Sequence, residues 1–166
     1  MKVQPIEEVP AIAALENDLL REIGALSRII HSKCDLKYKE YRLQKGQFIF
    51  LTRICEHPGL NLAQLSNVLK VDKTTTTKAI QKLIQSGYVH KEKDAADNRA
   101  AKLYPTSRAL PIYDLIIAEE NTHIEACLKG FSADEIRQAS DLIHRMRQNT
   151  EFLWQEMKRP KGESNE

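Results

Sequence analysis

The stretch that decides the fold is residues 72–87, DKTTTTKAIQKLIQSG. Its apolar positions recur at three and four residues, the spacing that places side chains on one face of an α-helix. Asp72, just before the pattern, is a residue type that caps helices, and Gly87, just after it, is one that ends them. We therefore predict a helix whose buried stripe is Thr76, Ala79, Ile80, Leu83 and Ile84.

The rest of this helix surface is hydrogen-bonding or cationic and contains no acid. Its members are Lys73, Thr74, Thr75, Thr77, Lys78, Gln81 and Lys82. Such a surface suits a phosphate-lined groove, because phosphate and sugar receive at least half of all protein–DNA hydrogen bonds. Threonine is a poor helix former, so helix propensity does not explain four in a row. Taken alone, the helix leaves two interpretations open, nucleic-acid recognition and a solvated surface helix.

The composition is that of an ordinary globular chain of 166 residues, 29% charged and 42% hydrophobic. It has no long apolar run and no signal-peptide pattern, so we expect a cytoplasmic protein without a membrane partner. Its three cysteines have no paired spacing, which favours reduced thiols over a disulfide framework.

The charge is unevenly distributed along the chain. Residues 45–105 carry ten Lys and Arg against five Asp and Glu, whereas residues 106–166 carry eight against eleven. The basic excess therefore surrounds the threonine-rich helix. This layout is typical of a DNA-binding core flanked by neutral or acidic helices.

A helix-turn-helix is predicted around the opening stretch. Residues 47–57 place apolar side chains on one face and end at Pro58-Gly59, and a second short helix follows. Asn61 is placed to cap that helix, with Gln64 reaching back three residues later. That helix runs to about Lys70, and Val71 connects it to the helix that Asp72 caps. Two short helices joined by so tight a turn form a helix-turn-helix, in which the second helix, residues 72–87, reads the groove.

Two strand-like runs follow Gly87, at residues 88–93 and 100–104, joined by a polar link. A basic hairpin directly after a reading helix is a wing. Arg99 near its base is suited to a narrow minor groove, and Asp97 is placed to hold it by a charge-assisted bond. An isolated Asp-x-Arg is more commonly an exposed ion pair of little energetic weight.

Long amphipathic helices are predicted at both ends of the chain. The first runs from residue 11 to about residue 32, and it is too long to pack only on a small domain, so its stripe is expected to meet a second chain. Residues 35–45 are expected to form an irregular connection. A second helical region begins at Thr106, and a capping box at residues 132–135 opens a last helix that continues through Trp154. Residues 158–166 lack apolar anchors and are predicted to be a disordered tail.

This order of elements resembles the MarR family of bacterial transcription regulators, over about residues 11–157. The most specific match is residues 62–99, a short scaffold helix followed by VDKTTTTKAIQKLIQSGYVHKEKDAADNR at residues 71–99. It contains the family's Asp-Lys-Ser/Thr-Thr-x-Thr start, its Leu-x-x-x-Gly-Tyr/Leu-Val exit and its Asp-x-Arg wing. The resemblance implies a mainly α fold with a small β-hairpin wing, in which a winged helix-turn-helix core lies between long N- and C-terminal dimerisation helices.

The resemblance also implies function. The chain would be a homodimer, held by residues 11–34 and 106–157, that binds a palindromic double-stranded DNA operator through residues 45–105, most commonly as a repressor. Side chains expected to face the major groove or its phosphates are Lys73, Thr74, Thr75, Thr77 and Lys78, and we extend this face to Gln81 and Lys82. Asp97 and Arg99 would be the wing pair.

Two positions depart from the family pattern. The usual Leu-Thr-x-x-Gly after the wing is Pro105-Thr106-Ser107-Arg108-Ala109 here. We expect Thr106 to cap the next helix, while the close packing that the glycine permits is not assured. The usual aliphatic residue inside the reading helix is Thr76, whose hydroxyl needs a backbone partner if it is buried.

Regulation in this family commonly uses a small, often phenolic, molecule bound between the dimerisation helices and the reading domain. Candidate lining residues are Tyr38, Tyr41, Phe48 and Tyr113, for which an ordinary core role is the alternative. No cofactor is predicted.

The cysteines and histidines offer alternatives to a small-molecule signal. Cys34 is the best redox candidate, with Lys33 beside it to favour a thiolate, whereas Cys55 and Cys127 lie on apolar stripes. His31-x-x-Cys34 and His123-x-x-x-Cys127 have helical ligand spacing, but each pair is short of four ligands, so no metal site is predicted. The chain contains no phosphate-binding glycine loop, no nucleophile elbow and no HExxH motif, so we expect no enzymatic activity. A winged-helix module used only for protein contacts is a further alternative.

Overall fold

The structure is a computed structural model that describes residues 15–93 and 101–158. It is mainly helical, with one antiparallel hairpin. In chain order the elements are α1 (Leu19–Lys37), a 3₁₀ turn (Tyr38–Tyr41), α2 (Phe48–Glu56), α3 (Leu62–Leu69), α4 (Lys73–Gln85), β1 (Val89–Lys93), β2 (Ala101–Pro105), α5 (Ala109–Cys127), α6 (Ala133–Asn149) and α7 (Glu151–Lys158).

The hydrophobic core lies in the middle of the chain. It joins α2, α3, α4 and the hairpin to the end of α1 and the first half of α5. The buried apolar residues are Cys34, Tyr38, Leu43, Phe48, Phe50, Leu51, Ile54, Leu65, Ile80, Leu83, Tyr88, Val89, Leu103, Ala109 and Ile116. The helix-turn-helix and the hairpin therefore pack together with the end of α1 and the first half of α5.

Helix α1 begins and ends later than predicted. It starts at Leu19 and not at residue 11, because Asn17 and Asp18 are cap-forming residues, and the Asn17 side-chain oxygen accepts from the Leu19 amide at 3.3 Å. Residues 11–14 lie outside the described residues. The helix then continues through Lys37, where an irregular connection was expected. Burial of Cys34 and Tyr38 in the core explains this extension, since tertiary packing overrides the local polar pattern.

The wing hairpin is confirmed, and it is tied to the turn between α2 and α3. Strand β1 pairs with β2 in the register Val89 to Pro105. The amide of Gly59 donates to the carbonyl of Leu103 at 2.8 Å, and the amide of Leu103 donates to the carbonyl of Leu60 at 3.0 Å. This turn therefore forms an isolated antiparallel bridge with β2, between Asn61 and Lys102, which local sequence patterns did not indicate.

The wing exit packs closely without the family's glycine. Ala109 is fully buried, so its methyl group is accommodated where a glycine is usual. Thr106 does not cap α5 as expected, because its hydroxyl donates to the carbonyl of Gly87 at 2.7 Å. That bond links the wing exit to the end of α4.

The last two helices lie largely outside this core. Helix α6 has no buried residue, although its Ser132–Glu135 capping box forms as predicted. The predicted single last helix is divided at Thr150, whose hydroxyl donates to the carbonyls of Met146 and Arg147 and so competes with the helical pattern. Lys158 belongs to α7 and not to a tail, and residues 159–166 lie outside the described residues. None of the described helices combines the length and apolar character needed to cross a membrane.

Candidate nucleic-acid interface

Helix α4 begins at the predicted cap. The Asp72 carboxylate accepts from the Thr75 amide at 2.9 Å, and its hydrogen bonds with the Thr75 hydroxyl and amide lower the pKa of this carboxyl. The positive end of the helix dipole lies at the same place. An ionised Asp72 at neutral pH therefore fixes the first turn, and with it the direction of the threonines.

Thr76 faces the core and Thr74 and Thr75 face outward, as predicted, whereas Thr77 lies between the two faces. Thr76 is fully buried, and its hydroxyl donates to the carbonyl of Asp72 at 2.9 Å, which is the local backbone partner that this position requires. Thr74 and Thr75 are exposed, while Thr77 is half-buried and donates to the carbonyl of Lys73 at 2.8 Å. One face of α4 is thus held in the core while the opposite face is presented outward.

The outward face is the acid-free surface expected from the sequence. Its exposed members are Lys73, Thr74, Thr75, Lys78, Gln81 and Lys82. The Lys82 ammonium donates to the side-chain oxygen of Gln44, in the loop before α2. Cationic groups therefore extend along the whole length of α4, and their contact with DNA remains a prediction.

The scaffold helix α3 positions α4 through its own cap and through the turn between them. Asn61 and Gln64 form the predicted reciprocal capping box, with both hydrogen bonds at 2.9 Å. At the other end, the buried Ser66 hydroxyl donates to the carbonyl of Val71 at 2.6 Å, and Lys70 adopts a left-handed conformation that turns the chain. Sequence reasoning missed Ser66, because nothing in its local pattern shows that its hydroxyl closes this turn.

The wing lies beside the reading helix. Lys91 and Lys93 on β1 are exposed, and the His90 ring stacks on Tyr104 across the hairpin with ring centroids 5.7 Å apart. The predicted wing pair, Asp97 and Arg99, lies outside the described residues. Their role at the minor groove remains a prediction.

The four predicted effector-lining residues do not share one cavity. Tyr38 and Phe48 are buried core residues with ring centroids 5.5 Å apart, and burial raises the pKa of Tyr38. Tyr113 is half-buried on α5, near the end of α2, where burial raises its pKa. Only Tyr41 of the four lines the cavity of about 350 Å³ between the 3₁₀ turn and the start of α5. Its other lining residues are Glu40, Arg42, Tyr88, Arg108, Pro111 and Ile112.

Cys34 lies in surroundings that oppose a reactive thiolate. It is fully buried, and burial raises the pKa of its thiol. Lys33, expected to favour the thiolate, instead forms an ion pair with Glu119 at 3.7 Å. The Cys34 sulfur lies 3.9 Å from Nδ1 of His123 on α5. Such an environment is typical of a structural thiol.

The two predicted His/Cys pairs are not brought together. His31 packs edge-on against Phe48 with ring centroids 5.5 Å apart, Cys127 is exposed, and His123 instead lies beside Cys34. Across residues 15–93 and 101–158, no three His, Cys, Asp or Glu side chains are grouped so that they could hold a metal ion.

The fold and this surface define a winged helix-turn-helix protein. A family model described as the MarR family matches residues 43–101. The uncharacterized HTH-type transcriptional regulator YybA of Bacillus subtilis (strain 168) is 37% identical over 143 residues, covering 86% of this chain and 95% of the relative. The chain therefore belongs to the MarR family, whose members are transcription regulators and not enzymes.

Solved structures agree with this assignment. A MarR protein from Peptoclostridium difficile DA00132 superposes with a TM-score of 0.84 at 52% identity, covering 92% of this chain and 100% of the other. A MarR family chain from Listeria monocytogenes, solved in complex with 26mer DNA, superposes with a TM-score of 0.84 at 35% identity, covering 90% and 99%. The similarity thus extends well beyond the residues that the family model matches.

Proposed function

We propose that this chain acts as a homodimeric, cytoplasmic repressor that binds a palindromic duplex through α4 in the major groove. The observation that carries the proposal is that α4 has one buried face and one exposed face. The buried face is held in the core, where the Thr76 hydroxyl bonds to the backbone, so the acid-free face on the opposite side is exposed to solvent along the helix. The DNA complex of the Listeria monocytogenes relative supports the same use of this fold. Asp97 and Arg99 would add a contact from the wing.

The homodimer is supported by apolar surface that one chain leaves uncovered. Helix α6 has an apolar stripe but no buried residue, and Ile143 on it is half exposed. Exposed apolar side chains also lie on α1, α5 and α7, among them Leu20, Leu26, Ile29, Ile124, Phe152 and Met157. Exposed large apolar side chains on all four of these helices support an interaction site, and pairing with a second copy would cover them. Two reading helices would then meet half-sites about 10 bp apart or slightly more.

Release by a small aromatic molecule is the proposed regulation. The cavity beside Tyr41 offers two aromatic rings, two guanidinium groups and the apolar Pro111 and Ile112, which suit a phenolic or carboxylated ring. It lies between the end of the α1 region and the start of α5, where occupancy can change the angle of the reading domain. Benzoate and phenol are suitable first probes. We expect either compound to weaken duplex binding by the wild-type protein, and we expect Arg108→Ala to remove this weakening. Unchanged duplex binding in the presence of both compounds would contradict this part of the proposal.

Selection from a random duplex pool by the purified protein tests the main proposal. We expect enrichment of palindromic sites, and an affinity that falls steeply with salt because bound phosphates release counterions. Lys78→Ala should weaken binding. The matched control is Lys129→Ala, an exposed residue just after the C-terminal end of α5, which should not weaken it. A protein that binds no duplex would instead be a protein-interaction module. Equal affinity for a selected duplex at low and high salt would contradict binding through phosphates.

A further inference from the structure

A second cationic surface adjoins the last turn of α4. We call it the flanking strip and define it as Lys39, Arg42 and Lys45, three exposed residues in the 3₁₀ turn and in the loop that leads from it to α2. Within the described ranges, none of these side chains forms an ion pair with an acid. Their charge is therefore not neutralised by a partner within this part of the chain.

The flanking strip is continuous with the reading face. Two neighbouring grooves share Gln44 and Lys45 as lining residues. The first, of about 800 Å³, contains Lys39 and Arg42, and the second, of about 350 Å³, contains the α4 residues Thr75, Lys78 and Lys82. The bond from Lys82 to Gln44 joins the two directly. The strip therefore prolongs the surface that α4 offers to DNA.

The charged side chains of this surface are mostly cationic. The described residues that line the second groove include three lysines and no acid. The first groove has one acid, Asp35, and its carboxylate accepts a hydrogen bond from the Gly46 amide at 2.7 Å. A small ligand needs an enclosed pocket, and these grooves are open. An extended anion, such as a polynucleotide backbone, is better matched to a row of exposed cations.

The loop that carries the strip is held in place by its own contacts. Arg42 adopts a left-handed backbone conformation with φ of +60°, and the next residue, Leu43, is buried in the core. The Gln44 amide donates to the Gln47 side chain at 2.8 Å. The cations are therefore presented from an ordered backbone, which lowers the entropic cost of engaging phosphates.

Helix geometry places the strip beyond the groove that α4 reads. From Lys73 to Lys82 the helix advances about 14 Å at 1.5 Å per residue, which is comparable to the major-groove width of about 12 Å. Reading helices contact bases mainly with their N-terminal residues, so Lys82 lies near the phosphate wall. We propose that the flanking strip binds backbone phosphates just outside the base pairs that α4 reads. This inference rests on the proposed DNA binding and extends its footprint.

The test compares Lys39→Ala/Lys45→Ala with Lys129→Ala on a duplex selected by the wild-type protein. Two probes are needed, one with 10 bp of flanking sequence on each side and one trimmed to the selected site. On the long duplex, we measure the slope of log affinity against log salt concentration. In the double variant its magnitude should fall by about one for each lysine removed from each protomer, and in the control it should stay unchanged. Trimming the flanks should reduce the wild-type slope more than it reduces the double variant's slope, in which Arg42 is the remaining cation of the strip.

The outcomes separate this inference from the proposed function. If the wild-type protein binds the long duplex and the double variant has the same slope, the flanking strip does not contact phosphate and the inference is overturned while DNA binding stands. If trimming affects both proteins equally, other residues contact the flanks, and the inference is likewise overturned. A wild-type protein that binds neither probe would overturn the proposed function and this inference together.

Discussion

The hydroxyl of Tyr88 donates a hydrogen bond to the carbonyl oxygen of Tyr41 at 2.6 Å. Tyr88 follows α4 directly, and Tyr41 ends the 3₁₀ turn after α1. The Tyr88 ring is buried, and the Arg108 guanidinium at the start of α5 lies 5.2 Å from its centroid. One side chain thus connects the end of the reading helix to both helices that lead toward the proposed dimer interface.

Tyr88→Phe removes this bond and leaves the Tyr41 carbonyl without that donor. We expect the free energy of unfolding to fall by about 1 kcal/mol, the usual net value of a buried hydrogen bond. Urea denaturation followed by circular dichroism measures the change. The matched control is Tyr104→Phe, since the Tyr104 hydroxyl forms no hydrogen bond with described residues. Equal stability of wild-type and Tyr88→Phe proteins would show that the bond contributes nothing to folding.

The reading-helix threonines are predicted to differ in how they affect binding. The Thr75 hydroxyl interacts with Asp72 and the Thr77 hydroxyl donates to Lys73, whereas the Thr74 hydroxyl forms no hydrogen bond with described residues. Thr74 is therefore the threonine best able to contact a base edge. Thr74→Ala should change the preferred sequence, and Lys78→Ala should weaken all sequences by a similar factor. Parallel selections with the two variants measure this, and a Thr74→Ala selection identical to wild type would contradict it.

The parts of the fold that were predictable from the sequence depend on neighbours along the chain. The capping boxes at Asn61 and Ser132 form within four residues, so their pattern is complete in the local sequence. The inward direction of Thr76 follows from its position on the apolar stripe of α4. Local physics was sufficient for these features.

Features that depend on distant residues were missed or misplaced. The extension of α1 to Lys37 depends on Cys34 and Tyr38 finding a core made by other helices. The hydroxyl of Thr106 bonds Gly87, nineteen residues away, and not the helix that follows it. Cys34 meets His123, although the sequence paired each with a neighbour on its own helix. A local sequence pattern cannot identify the distant residue that a side chain will contact, because the topology of the fold decides which residues meet.

The three cysteines are predicted to react in order of exposure. Cys127 is exposed, Cys55 is half-buried and Cys34 is buried with a raised pKa. N-ethylmaleimide at pH 7 should modify Cys127 first and Cys34 only after denaturation, because the thiolate is the reactive form and access is required. Mass spectrometry of peptides at timed intervals gives the order. Duplex binding should survive mild peroxide; rapid oxidation of Cys34 with loss of binding would restore the redox hypothesis.

Alkaline pH is predicted to destabilise the protein through Cys55. Burial, with the carboxylates of Glu56 and Asp114 nearby, raises the pKa of this thiol to about 11. In the unfolded chain a thiol titrates near about 8.5, so the folded state holds its proton more tightly. The contribution of the Cys55 thiol to the free energy of unfolding is therefore fully present below pH ~8.5 and is lost as the pH rises toward 11. The urea midpoint should fall less over this interval in Cys55→Val than in wild type or in the exposed control Cys127→Ala.

Trp154 provides a spectroscopic test of how α7 meets the reading domain. It is the chain's single tryptophan, and its indole nitrogen donates to the Asn67 side chain on α3 at 3.3 Å. Lys70, after α3, also forms an ion pair with Glu151 on α7. Trp154 lines a cavity of about 370 Å³ together with Lys73 at the start of α4. Its fluorescence therefore reports both the docking of α7 and events at the reading helix.

Asn67→Ala should release the indole from this contact, since it removes the acceptor without touching α4. We expect emission to shift to longer wavelength and acrylamide quenching to increase, because the ring gains water contact. Asn149→Ala, at the exposed end of α6, is the control and should leave the spectrum unchanged. In wild type, adding a selected duplex should also change the emission, because Lys73 lies on both the cavity and the proposed DNA surface. Identical spectra for wild type and Asn67→Ala would mean that α7 does not dock on α3 in solution.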